Sequence, residues 1–131
     1  MMQAYDWQGA METCQRMLSA DPDHLGALET LAQAQWFGGQ YDAVIGTTSR
    51  LLRLNPSEPG YRYTRGMAFL SNGDLIRAYE DFQTALSQSN NADFKAQVAS
   101  SIDTLERWMV EKPLKASRCG RALLSPLGKL N

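Results

Sequence analysis

A pattern with a period of 34 residues runs through the first two-thirds of this 131-residue chain and constrains its fold more tightly than any other feature. Steps of that length pair Trp7 with Tyr41 and Leu75, Ala10 with Val44 and Ala78, Met11 with Ile45 and Tyr79, Cys14 with Thr48 and Phe82, and Leu18 with Leu52 and Leu86. Size and polarity mostly recur. The punctuation recurs as well: Asp21-Pro22 matches Asn55-Pro56, Gly39 matches Gly73, and Ala32 matches Gly66. A unit of this length cannot bury its apolar face alone, and does so by stacking on the next copy.

Within each period the spacing is helical. Leu28, Leu31, Ala32 and Gln35 stand at i, i+3, i+4 and i+7, on one face of a helix. After Gly38-Gly39 a second helical pattern runs through Tyr41, Val44, Ile45, Thr48, Leu51 and Leu52 and stops at Asn55-Pro56. Glycine takes the left-handed conformation that ends a helix, and proline cannot continue one. The unit is therefore helix, tight turn, helix, stop, and the fold class is all-α. A further helix is predicted over 92–111, where Phe94, Val98, Ile102, Leu105 and Met109 recur every three or four residues with Trp108 beside them.

The segments Gly39-Gln40-Tyr41-Asp42-Ala43-Val44-Ile45 with Leu51-Leu52-Arg53-Leu54-Asn55-Pro56, and Gly73-Asp74-Leu75-Ile76-Arg77-Ala78-Tyr79 with Phe82 and Ala85-Leu86, resemble the tetratricopeptide repeat. The resemblance spans about residues 5 to 90 and implies a right-handed superhelix of antiparallel helix pairs. On that phase the repeat domain covers 1–111: a half repeat (3–20), full repeats (24–56 and 58–90) and a C-terminal capping helix (92–111), followed by a basic tail, 112–131. Three departures stand out. Arg62 occupies the slot held by Leu28 one period earlier, with Tyr61 and Tyr63 flanking it. The third stop is Asn90-Asn91 rather than proline, and Tyr5 to Ala20 matches only the second helix of a repeat.

Charge is unevenly spread. Residues 1–111 hold eight basic and fourteen acidic side chains, a net −6, whereas Lys112, Lys115, Arg118, Arg121 and Lys129 give the tail +5. An acidic body lacks the basic stripe of a nucleic-acid binder, so none is expected as partner. The tail reads first as a solvated end. Cys14 and Cys119 lie far apart in sequence and read as free thiols, consistent with a reducing compartment. The start lacks the basic and apolar regions of a secretory signal, and no run reaches the roughly 18 apolar residues of a membrane span. A cytoplasmic location without membrane contact is the expectation.

The catalytic inventory is thin. His24, the sole histidine, follows Asp21-Pro22-Asp23 and reads as a helix-start residue. Cys14 falls on a core position and reads as a small buried hydrophobe, Cys119 has no histidine near it in sequence, and Glu80-Asp81 point in different directions on a helix. Gly38-Gly39 has no following lysine and serine or threonine to make a phosphate loop. The expectation is a protein that is not an enzyme, with no cofactor and no metal.

A binding role fits better. The concave positions implied by the tetratricopeptide resemblance are Glu29, Gln33, Trp36 and Phe37 in the first full repeat and Tyr63, Met67, Leu70 and Ser71 in the second. The set lacks the lysine, arginine and asparagine with which such repeats clamp a terminal carboxylate. Its aromatic and apolar character points instead to an apolar peptide or helix of a partner protein, held in an adaptor or chaperone-like manner. Arg62 and Arg65 read as solvated outer-face charges, with a rim role as the second reading. The alternative function is self-assembly: Trp7, Met11, Met17 and Leu18 on the unpartnered half repeat would associate as a homodimer. In the tail, Leu123, Leu124, Leu127 and Leu130 lie among basic residues, with at most a turn expected near Ala122 to Leu124.

Overall fold

Helix ends set this architecture, and most have a visible cause. The computed structural model describes residues 6–111, which form six helices and no strand: α1 (Trp7–Ala20), α2 (Leu25–Phe37), α3 (Tyr41–Leu54), α4 (Pro59–Ser71), α5 (Leu75–Gln88) and α6 (Ala92–Glu111). The tail, with Cys119 and its leucines, and the first residues of the half repeat fall outside the described residues. α2 and α4 end in the same motif. Gly39 N–H donates to the Trp36 carbonyl and Gln40 N–H to that of Gln35, with Gly39 at φ +72°. One period later Gly73 donates to Leu70 and Asp74 to Phe69, with Gly73 at φ +84°. The left-handed glycine lets the chain reverse within three residues while satisfying carbonyls at the helix end.

Four helix starts, those of α2, α4, α5 and α6, are capped from side chains. His24 Nδ1 accepts from Ala27 N–H at 3.0 Å, Asp74 caps α5 through Arg77 N–H at 3.2 Å, and Asn91 caps α6 through Phe94 N–H at 2.9 Å. Pro59 occupies the first turn of α4, where its missing N–H costs nothing. The stops are also tied down: the Pro22 carbonyl accepts from Arg50 of α3 and the Pro56 carbonyl from Gln88 of α5.

Each helix packs chiefly on its neighbours in sequence, α1 on α2 through to α5 on α6. Two apolar clusters result. One joins Cys14, Leu18, Ala27, Leu28, Leu31 and Leu51; the other joins Leu75, Ala78, Phe82 and Ala85 to Val98 and Leu105 of α6. Between them lies a polar joint. Asp81, 4% exposed, accepts from Arg65 Nε at 2.7 Å and Arg65 Nη2 at 2.9 Å, while Arg65 Nη1 reaches Ser49 of α3 at 3.0 Å. Arg62 approaches the same carboxylate at 3.6 Å. Hydrogen bonding to Asp81, and then its charge, outweigh burial and push the Arg65 guanidinium further up. The solvated reading of Arg62 and Arg65 is therefore corrected: a buried carboxylate on the facing helix draws both inward, one turn apart on α4.

α4 and α5 pack closely at Gly66. A Cβ on Gly66 would lie 2.7 Å from the Phe82 ring, so the large ring is accommodated by the absent side chain. One period earlier the equivalent positions are Ala32 and Thr48, both buried, with a smaller side chain on α3 and a larger one on α2. Gly66→Ala should destabilise the fold by about 1–3 kcal/mol through overpacking, despite gaining about 1 kcal/mol in helix propensity. Urea denaturation checks this, and combining it with Phe82→Leu should give a smaller loss than the sum of the single changes. Asp81→Asn should cost about 2–3 kcal/mol, because removing one partner strands the Arg65 charge, which keeps part of its surface in water. The same denaturation series reads it directly.

Candidate functional site

Because α3 runs antiparallel to both neighbours, α2 and α4 run parallel to each other on one side of the stack, with α3 behind them. A groove of about 900 Å³ opens between them. Glu29, Gln33, Trp36 and Phe37 of α2 form one wall, Tyr61, Tyr63, Thr64 and Met67 of α4 the other, and Ala32, Thr48 and Leu51 the floor. It lies over the seam where the two apolar clusters part, so its floor is core and its walls are helix faces that no other described helix covers.

The structure thus brings together six of the concave residues expected from sequence: Glu29, Gln33, Trp36, Phe37, Tyr63 and Met67. Leu70 is not among them. It packs on the α5–α6 cluster instead. Tyr63 serves two purposes. Its ring lies 5.6 Å from Phe82 and 5.7 Å from Phe94, and its hydroxyl is 3.3 Å from Ser101 Oγ, so it holds α6 against α4 while edging the groove. Trp36 meets Tyr41 edge-on at 5.0 Å, and Phe37 is 54% exposed.

One end of the groove is acidic. Tyr61 donates its hydroxyl proton across the gap to Glu29 at 2.5 Å, and Glu58 lines the same end after capping α4 through Gly60 N–H. Burial first, then the hydrogen bond to Glu29 and the charges of Glu29 and Glu58, push the Tyr61 phenol up to about 12. Tyr61 therefore remains a donor through the physiological range. Among the described residues, no lysine or arginine lines the groove. Sequence reasoning missed Tyr61, Thr64 and Glu58. The available signal was spacing, since Tyr61 and Thr64 stand one turn apart on α4 and Arg62 between the tyrosines is spent on Asp81.

The residues expected to self-associate divide. Leu18 is buried in the α1–α3 core, and the Trp7 ring covers Gly38, where a Cβ would fall 2.7 Å from it. Both are committed within the chain, because α2 supplies the surface that covers them. Met11 packs on the same core cluster, whereas Met17 is 40% exposed. Cys14 is buried, and burial pushes its thiol up, away from the reactive thiolate. Among the described residues, no three His, Cys, Asp or Glu converge, and no helix is long and apolar enough to cross a membrane.

Comparison with known proteins follows the same lines. No curated protein matches the chain by sequence. The fold is similar to the structure of the Yersinia enterocolitica type III secretion translocator chaperone SycD, with a TM-score of 0.73 and 20% identity over 79% of this chain and 74% of that one. The family profile described as tetratricopeptide repeat matches residues 1–66. With helix pairs, glycine turns and stops in phase, the chain belongs to the tetratricopeptide repeat family.

Proposed function

We propose that this protein is a non-catalytic protein-interaction module, adaptor or chaperone-like, that holds an apolar peptide or helix of a partner between α2 and α4. The carrying observation is Phe37, 54% exposed beside Trp36 at a groove whose floor is core. Large aromatic side chains at the edge of a concave apolar surface are typical anchors for a partner segment. The similarity to a translocator chaperone supports the reading. Phe37 is the better test position, because Tyr63 also holds α6. A leucine-rich synthetic peptide titrated by fluorescence anisotropy should bind the wild type, and Phe37→Ser should weaken that binding about tenfold or more. Helix content and thermal midpoint should not change. Equal affinities would remove the groove as the binding surface.

A second reading, homodimerisation through α1, rests on the exposure of Met17 on a helix that no other helix precedes among the described residues. On this reading the wild type sediments as a dimer and Met17→Glu as a monomer. A wild type that stays monomeric across a concentration series removes it.

A further inference from the structure

We propose that the partner segment held between α2 and α4 is extended and carries a basic side chain at the Glu29–Glu58 end of the groove, about three residues from the apolar side chain that meets Trp36 and Phe37. The inference rests on the groove reading above and adds to it the chemistry of the occupant. Three observations carry it.

The first is polarity along the groove. Glu29 stands one turn into α2 and Glu58 caps α4, so both carboxylates lie where these parallel helices begin. Trp36 and Phe37 end α2, and Met67 lies late in α4, so the apolar walls lie where the helices finish. The second is charge. Among the described residues, the ion pairs of arginine go to Asp74, Asp81 and Asp103, and neither groove glutamate has one. The N-termini of α2 and α4 oppose the two full charges with roughly half a positive charge each, which leaves this end negative. Each carboxylate already holds one donor, the Tyr61 hydroxyl on Glu29 and Gly60 N–H on Glu58, and a guanidinium or ammonium can take the acceptor sites that remain. Complementary charge at such an end fixes the register of a bound segment more than it adds affinity. The third is spacing. From Glu29 to Phe37 along α2, and from Tyr61 to Met67 along α4, the rise is about 9 to 12 Å. An extended chain covers that distance in about three residues. A helix about 10 Å across would have to part Tyr61 from Glu29 to lie between the walls.

The test titrates the full chain with two labelled synthetic peptides, Arg-Ser-Ser-Leu-Leu-Ser-Ser-Arg and the same sequence with glutamine in place of both arginines. Each end sets the variable side chain three residues from a leucine, so the result does not depend on the direction in which the peptide lies. At low ionic strength the arginine peptide should bind about threefold to tenfold more tightly, the size expected of two exposed ion pairs, and the ratio should shrink as salt is added. Changing Glu29 and Glu58 together to Gln should bring the ratio to about one. Glutamine keeps an acceptor oxygen for Tyr61 and for Gly60 N–H, so the helices should be retained. Glu29→Gln alone, which leaves the α4 cap untouched, should lower the ratio part of the way. A ratio of about one in the wild type overturns the proposal. So does an arginine preference that survives the double change, which would come from the net −6 of residues 1–111 at large. The glutamine peptide separates the two ideas. If it binds and Phe37→Ser weakens that binding, the groove reading stands whatever the ratio; if neither peptide binds in a Phe37-dependent way, both fall.

Discussion

The buried carboxylate of Asp81 holds Arg65 in place, and through Arg65 the second repeat is tied to the first. A charge in so dry a position is tolerated only when its partners are close and directional, and Arg65 supplies two near-parallel hydrogen bonds from one planar group. The third arm of that guanidinium reaches Ser49, so one side chain ties α3, α4 and α5 together at the seam between repeats. Apolar packing resists sliding poorly because it is non-directional; a forked ion pair has one geometry. The fork therefore fixes how α5 lies on α4 within the second repeat, and the Ser49 bond ties that pair to α3 of the first. One period earlier the buried polar position is Thr47, paired with Gln35 at 2.8 Å, a neutral bond with no counterpart, among the described residues, of the Arg65–Ser49 reach to the preceding helix, and α1 and α2 are joined by apolar contact.

Most of the fold was legible because its signals are local. A glycine needed at positive φ, an Asn-Pro that cannot continue a helix, and apolar residues three and four apart act within a few residues, so Gly39, Gly73 and the run from Phe94 to Met109 mark their helices directly. The exchange of Ala32 and Thr48 for Gly66 and Phe82 was visible as a recurrence, yet its meaning needed the facing helix. Small-for-large compensation is a property of a pair.

The site was legible in proportion to how far each residue depends on others. Glu29, Gln33, Trp36 and Phe37 sit on a helix with no other described helix in front of it, so their register alone placed them on the groove. Leu70, Arg62 and Arg65 were misplaced because α5 and α6 compete for the same face of α4, through an apolar cluster in one case and through Asp81 in the others. Nothing in the spacing of α4 announces a buried acid sixteen residues onward. Trp7 and Leu18 show the same effect at the other end, where α2 covers what the lone sequence of α1 leaves bare.

Packing restricted mainly to sequential neighbours has a consequence for how the protein responds to heat and force. A linear stack behaves as a chain of weakly coupled units, each opening with the free energy of its own interfaces, so unfolding starts at α1 or α6 and spreads inward as a fraying front. Direct ties that skip a helix, such as Tyr61 to Glu29 across the groove, are few among the described residues. A segment bound there touches α2 and α4 together and adds a coupling that bypasses α3. Occupancy of the groove would thus be felt as cooperativity along the whole array, turning a frayed sequence of local openings into one sharp transition.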